Sequence, residues 1–347
     1  MNMLSRRQFI TSCLFMAASG LCLVPISLYS SCKQDEKGAN TVPNFEPKYL
    51  KLHISGVLKK RGEGLWNNMA SCMLCPRQCG ANRLSGNKGF CGSDSELFVA
   101  SYHPHFGEEK PLVGKGGSGA IFFSNCNLRC VFCINWEISQ GGEGRRSSID
   151  QLATMMLNLQ EMGCHNINLV TPTHYSPHII LALDSAAARG LRLPIVYNTS
   201  GWERMEILRE LDGIVDIYLP DFKYADETMA VKYSSGAATY PELAKVALLE
   251  MHRQVGVAKP AGDGLLYRGL IIRHLVMPNN VSGTRQIIEW MGANLPKDTY
   301  VNLMSQYRPA FKAIEYPEIS RSITRQEYLQ AVEWARQANL TNLDLQG

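Results

Sequence analysis

From about residue 117 onward, short apolar runs alternate with longer segments whose apolar residues recur at helical spacing. The runs Gly119–Phe123, Asn166–Val170, Pro194–Asn198, Asp216–Leu219, Gly269–Met277 and Tyr300–Leu303 read as strands. Amphipathic helices are predicted between and after them, near 149–162, 177–189, 203–211, 241–255, 282–294 and 324–338. The first helix opens on Ser148 with Gln151 three residues on, the capping-box spacing in which the two residues satisfy each other's free backbone N–H groups. Six strand–helix units predict parallel strands with helices outside, as an open barrel or a doubly wound sheet.

In either architecture the chemistry collects where the strands end. The six strand candidates run out into "SNCNLRC", "TPTH", "NTSG", "PDFKY", "MPNN" and "MSQYRP". One polar tail is a turn, but six in register predict a shared site.

Composition narrows the picture modestly. The chain has 347 residues, 45% of them apolar, enough for one large α/β domain or two smaller ones. The net charge is +4 with both signs interspersed, which points neither to nucleic acid nor to a strongly acidic partner. The eleven cysteines change more. Cys13, Cys22 and Cys32 lie in an apolar N-terminal stretch, Cys72, Cys75, Cys79 and Cys91 form one cluster, Cys126, Cys130 and Cys133 another, and Cys164 stands apart. Spacings of two and three residues suit chelation of one centre better than a disulfide framework.

The first strand tail carries Cys126-x3-Cys130-x2-Cys133. Thiolates suit iron–sulfur clusters and zinc, and three of them leave one coordination position open. Cys164 ends the first helix, on the opposite side of a barrel from this loop, and reads as a buried apolar residue. On a first barrel strand this triplet resembles that of the radical S-adenosylmethionine (SAM) superfamily. The resemblance implies a [4Fe–4S] cluster on Cys126, Cys130 and Cys133 whose fourth iron is chelated by the amino and carboxylate groups of S-adenosylmethionine. It also implies reductive cleavage to a 5′-deoxyadenosyl radical that abstracts hydrogen from a substrate. Phe132 matches the aromatic position against the adenine; burial of the loop would use the same surface.

Within the superfamily, "CMLCPRQCGANRLSGNKGFCG", "NLVTPTHYSPHI", "VYNTSG", "DIYLPDFKY", "RHLVMPNN" and "VNLMSQYRP" resemble proteins related to the activating enzyme of pyruvate formate-lyase, over roughly residues 70–340. Asp221 and Lys223 match that family's Asp-x-Lys element, and residues two apart on an extended strand point the same way. An exposed strand-end ion pair would look the same in sequence. Asn198 and Thr199 match the third-strand tail, with Asn198 where the activating enzymes carry aspartate. At the second-strand tail, where the superfamily has Gly-Gly-Glu-Pro, stand Thr171, Pro172, Thr173 and His174; the threonines are expected to serve the S-adenosylmethionine amino group. His174 reads equally as a substrate-side acid or base and as a structural histidine. One of Arg273 and His274 should face the lumen.

Two attractive matches fail on position. "GGEG" at 141–144 precedes the first helix, and "GKGGSG" at 114–119 precedes a strand, where a dinucleotide loop must follow one.

Upstream, Cys72-x2-Cys75-x3-Cys79-x11-Cys91 supplies four thiolates, suited to zinc, a second iron–sulfur cluster or disulfides. "SRRQFI" before an uncharged stretch from Gln8 to Cys32 has the layout of an export signal, and Arg6 and Arg7 resemble the twin-arginine type that carries folded proteins; a Sec signal or an uncleaved anchor has the same outline. Ser30 and Ser31 before Cys32 resemble a lipoprotein cleavage site, with Tyr29 where leucine is usual.

The expectation is therefore an α/β chain, a partial (β/α)6 TIM-like barrel with a small N-terminal cysteine-rich module. Residues 1–32 are the signal, 33–70 a tether and lead-in, 71–117 the cysteine-rich module and 118–340 the barrel. The expected function is a radical SAM enzyme of activating-enzyme type, with a low-potential electron donor and a substrate that is a protein if the likeness extends that far. The competing expectation is an exported metal-binding or electron-transfer protein on the same scaffold. Periplasmic or membrane-anchored placement follows if the signal is used, and cytoplasmic placement if it is not.

Overall fold

The computed structural model describes residues 45–345, so the signal-like segment 1–32 and Cys32 lie outside the described residues. The strands are β1 Leu97–His105, β2 Ser118–Phe123, β3 Arg145–Ser147, β4 Ile167–Val170, β5 Ile195–Thr199, β6 Ile217–Pro220, β7 Gly269–Leu275, β8 Tyr300–Met304 and β9 Asn342–Leu345. The helices are α1 Tyr49–Ile54, α2 Val57–Asn67, α3 Lys110–Val113, α4 Trp136–Ser139, α5 Ile149–Glu161, α6 Ser176–Ala188, α7 Met205–Glu210, α8 Glu227–Tyr233, α9 Tyr240–Val255, α10 Thr284–Asn294 and α11 Arg325–Gln337.

All six predicted strand–helix units form. They lie in one nine-stranded sheet of order β3-β1-β2-β4-β5-β6-β7-β8-β9, in which every pairing from β2 to β9 is parallel. The capping box at Ser148 and Gln151 is present, and a second, Thr324 with Glu327, opens α11. Each satisfies two N-terminal donors with side-chain hydrogen bonds and fixes where its helix starts. The sheet is curled: Arg273 of β7 reaches across to Asn198 of β5 at 2.6 Å, and Asn302 of β8 holds Glu109, from the loop after β1, at 2.9 Å. Those side chains share the inner face, while Tyr197 and Tyr218, in register one position away, face the helix layer.

The predicted tether and lead-in is only partly one. From Tyr49 the chain is helical, with Tyr49, Leu58 and Leu65 buried in the main core and Arg61 donating to the carbonyls of Glu210 and Asp212. The boundary expected at 117/118 is also absent, because β1 belongs to the barrel sheet and pairs antiparallel with β2 and β3. It covers the β2 edge, which would otherwise expose unpaired backbone groups. The cysteine-rich segment is thus a loop layer on the barrel's own core.

Candidate active site

The loop between β2 and α4 carries the three cysteines. Asn125 and Arg129 adopt left-handed backbone, which folds the loop into two tight turns. Its carbonyls and amides are tied to other elements: Val131 N–H donates to Tyr233 O at 2.9 Å, Lys312 N–H to Val131 O at 2.9 Å, and Gln140 Nε2 to Cys130 O at 2.9 Å. The "GGEG" stretch packs against the loop's start. Ser124 Oγ donates to Glu143 O at 2.6 Å, and a Cβ on Gly144 would lie 2.2 Å from that hydroxyl, so only glycine fits.

The three thiols sit close enough to oppose one another's ionisation. Burial raises Cys126, and burial pushes Cys130 up to about 12, each against the pull of Lys223. Ser234 Oγ lies 3.1 Å from the Cys130 sulfur and Ser139 Oγ 3.2 Å from that of Cys133. Phe132 is buried, packed edge-on against Tyr224 and Tyr307 at 6.4 and 6.1 Å. Cys164 is buried behind the first turn of β2, where a Cβ on Gly119 would meet its Cβ at 3.2 Å, at the opposite end of the strand from the loop.

Facing the thiols is a charged network at the ends of β5, β6 and β7. Lys223 Nζ is 2.6 Å from Asp221 Oδ2, and Arg273 Nε is 2.8 Å from Asp221 Oδ1. Burial works against Asp221's charge, but the two cations outweigh it and hold the carboxyl below its usual range. Arg273 also donates to Asn198 and lies 3.5 Å from Glu108, whose carboxyl burial pushes up to about 7. Arg273 is therefore the lumen residue of its pair. His274 faces the other way, between Phe222 O at 2.7 Å and the Thr284 hydroxyl at 2.9 Å. Gly201, at positive φ, lets the β5 tail pass over β6: a Cβ there would lie 2.2 Å from Asp221 O. The Tyr240 hydroxyl clamps the crossing, 2.8 Å from Ser200 O and 2.9 Å from Asp221 O while accepting the Lys223 N–H.

The predicted site residues divide. Cys126, Cys130, Cys133, Asn198, Asp221 and Lys223 converge. Thr171 stands at the β4 tip with φ 60°, a strained position for a β-branched residue. Thr173 and Thr199 are elsewhere: both are buried, and both hydroxyls donate to Glu203 Oε1 on the helix side of the sheet. They hold a buried acid that burial pushes up to about 7, and are not offered to the lumen. His174 is structural, with its ring on Ser124 O at 2.8 Å and burial holding its pKa down at about 3. Glu108 and Glu203 escaped the sequence reading, and the choice between Arg273 and His274 stayed open in it, since each depends on a loop or a register that periodicity does not fix.

The second cysteine set lies beside the first. Cys72, Cys75 and Cys91 are buried and Cys79 is exposed; none of the eight described cysteines is in a disulfide. Among the described residues, no three His, Cys, Asp or Glu side chains converge at the spacing of a single bound ion, and this holds for both cysteine sets.

Residues 120–256 match the Radical SAM superfamily profile. The chain is 31% identical over 307 residues to the uncharacterized protein MJ0674 of Methanocaldococcus jannaschii, covering 86% of this chain and 83% of that protein. It is 23% identical to MJ0808 of the same organism, over 78% of this chain and 82% of that protein. Among solved structures, a radical SAM methyltransferase from Sphaerobacter thermophilus aligns with TM-score 0.45 and 13% identity over 65% of each chain. Methylornithine synthase (PylB) aligns with TM-score 0.42 and 11% identity over 87% of this chain and 83% of that one. The chain belongs to the radical SAM superfamily and is a radical SAM enzyme, with MJ0674 as a relative.

Membership implies a [4Fe–4S] cluster and S-adenosylmethionine, and the residues fit both. Three free thiols share one loop at the C-terminal mouth of the first parallel strand, and Lys223 faces them with the positive charge an anionic thiolate cluster needs. Cys164, in the connection between α5 and β4, is out of reach.

Proposed function

We propose that this enzyme generates a radical on a substrate in the manner of the glycyl-radical activating enzymes, abstracting a hydrogen atom after reductive cleavage of S-adenosylmethionine. The observation that carries the reading is the meeting of three free thiols with the Asp221–Lys223–Arg273 network across one strand-end mouth. When bound, the cluster supplies a low-potential electron to the sulfonium of S-adenosylmethionine.

The chain's own residues position and shield. Cys126, Cys130 and Cys133 would hold the cluster and leave its fourth iron to the amino and carboxylate groups of S-adenosylmethionine. Lys223, held by Asp221, keeps a cation beside Cys130 and within reach of a ligand carboxylate. Arg273, Asn198 and Glu108 form the lumen's floor, and Arg273 with Lys223 keeps Asp221 ionised. Phe132, Tyr224 and Tyr307 close one wall with aromatic surface, which excludes water from a site that forms a reactive radical. The four upstream cysteines are read as a second metal centre. The N-terminal residues 5–32 carry the proposal of export, and a low-potential one-electron donor is the implied partner.

The test is anaerobic reconstitution with iron, sulfide and reductant, followed by assay for 5′-deoxyadenosine. Formation of the nucleoside supports the reading. A reconstituted protein that binds iron yet yields none is instead the exported electron carrier that the signal-like N-terminus would suit.

A further inference from the structure

Arg83 is a buried cation without a carboxylate partner. Its side chain is fully buried; Nε donates to Asp94 O at 2.8 Å, Nη1 donates to His174 O at 2.9 Å and lies 3.9 Å from the Cys72 sulfur, and Nη2 has no hydrogen-bond partner. No carboxylate meets it. A guanidinium does not lose its proton in a protein, so burying one beside two carbonyls and the Tyr175 ring, 6.0 Å away, with no anion is costly. The groups beside it that can become anionic are the thiols of Cys72 and Cys91.

A second arginine repeats the pattern. Arg77 donates to three carbonyls, Asn127 O at 3.0 Å, Ser235 O at 2.7 Å and Ser234 O at 2.9 Å, and its guanidinium lies 4.0 Å from the Phe90 ring centre and 4.8 Å from that of Trp202. The groups it faces that can become anionic are Cys75, Cys126 and Cys130, which belong to both cysteine sets. Ser234, whose carbonyl it holds, also donates its hydroxyl to Cys130. Asn127, next in chain to Cys126, lies against the Cys75 thiol; its buried amide has neither Oδ1 nor Nδ2 in a hydrogen bond of ordinary length.

The four-cysteine loop is thus exposed at Cys79 and touches the three-cysteine loop at Cys75. Two of its thiols meet at Gly89: a Cβ there would lie 3.2 Å from the Cys79 sulfur and 3.6 Å from that of Cys91, so the loop packs its backbone closely against both. A zinc staple would use four thiolates. It has no use for a position between the surface and the active loop. A cluster on four thiolates at that position can carry an electron inward.

We propose that Cys72, Cys75, Cys79 and Cys91 bind a second [4Fe–4S] cluster, balanced by Arg83 and Arg77, that passes electrons to the first cluster through the Asn127–Arg77 contact. The proposal rests on the reading of Cys126, Cys130 and Cys133 as the radical SAM cluster. A reduced iron–sulfur or flavin protein gives up one electron at the Cys79 edge, the second cluster is reduced and then reoxidised, and the first cluster gains that electron. No bond forms or breaks in the transfer. The two arginines favour the more negative, reduced state, so they raise the second cluster's potential.

The full chain with Cys126, Cys130 and Cys133 all changed to Ala, reconstituted with iron, sulfide and zinc available, should bind about four irons against about eight in the parent, and give an EPR signal on reduction. Bound zinc, or no iron while the parent holds about four, overturns the proposal. Should that variant not fold, Cys79→Ala, at the exposed ligand, should remove the EPR signal that does not respond to S-adenosylmethionine and spare the one that does; two unchanged signals overturn it. Arg77→Leu should lower the midpoint potential of the unresponsive signal and slow reduction of the responsive one by a flavodoxin-type donor at least several-fold. Unchanged potential and rate overturn the relay. A triple variant that binds four irons in a protein lacking any responsive signal keeps the second cluster and removes the radical SAM reading, so the two failures are distinct.

Discussion

The two cysteine loops lie side by side and are built for opposite tasks. The Cys126 loop offers three thiols, points into the barrel mouth and faces a lysine whose charge is shared with Asp221. The Cys72 loop offers four, lies outside the mouth and is backed by arginines that no carboxylate neutralises. Three ligands with a charged network opposite leave a position for a small molecule. Four ligands with permanent cations close the site and fix its charge. Ligand count alone says open or closed; the neighbouring charges say what the opening is for.

The largest expected effect separates the loops from the barrel's other cysteine. Cys130→Ala should abolish formation of 5′-deoxyadenosine, a loss of at least about 10³-fold, because a thiolate ligand has no substitute there. Cys164→Ala, at the far end of β2, should leave the rate within about twofold. Equal losses at both positions would break the distinction between ligand and core cysteine.

The network opposite the open loop comes next. Asp221→Ala leaves Lys223 and Arg273 buried without their carboxylate, and removing one partner of a buried pair costs about 3–5 kcal/mol. Thermal unfolding should fall accordingly, and KM for S-adenosylmethionine should rise in whatever protein survives. Asp221→Asn should lose less stability, since its amide oxygen still accepts from one of the two cations.

A smaller, pH-dependent effect tests the layer beneath. Glu203 is held neutral by burial, with a folded pKa pushed up to about 7. A carboxyl raised in this way contributes stability fully below its ordinary pKa near 4.5 and loses it as pH rises through about 7. The contribution is about 3 kcal/mol, from the linkage of about 1.4 kcal/mol per pH unit. His174 at about 3 and His274 at about 4 act in the other direction, contributing above about 6.5 and failing as pH falls toward those values. Glu203→Gln should therefore flatten the fall in melting temperature between about pH 5 and 8 and leave the acid side unchanged. An unaltered alkaline limb would contradict a neutral Glu203.

The mildest change is Phe132→Leu, which keeps most of the buried volume but removes the aromatic edge contacts. It should cost about 1 kcal/mol and raise KM for S-adenosylmethionine more than it lowers kcat. A change confined to stability would assign Phe132 to packing alone.

Much of this was legible in the chain. The six parallel strands and their helices fall within a few residues of the pattern, since each carries its own apolar period and several have explicit caps. The pattern missed β1, whose alternation is interrupted by Pro104 and two histidines, and the short β3 and β9, which have too few residues to show a period. It missed α1 and α2 as docked helices because their polar exposed faces resemble a tether. At the site, Cys126, Asp221 and Lys223 were readable because strand ends cluster them. Glu108, Arg77 and Arg83 were not, because their partners lie far away in sequence, on loops whose path no local pattern fixes. Thr173 and Thr199 had the right residue type at the right strand ends, but the turn after β4 and the alternation of β5 aimed them at Glu203.

The account turns on the open position at the three-cysteine loop. EPR of the anaerobically reconstituted, reduced protein, recorded with and without S-adenosylmethionine, tests it directly. The account predicts that one cluster signal changes shape on addition of S-adenosylmethionine and is missing from Cys126→Ala. A spectrum that S-adenosylmethionine leaves unchanged would contradict it.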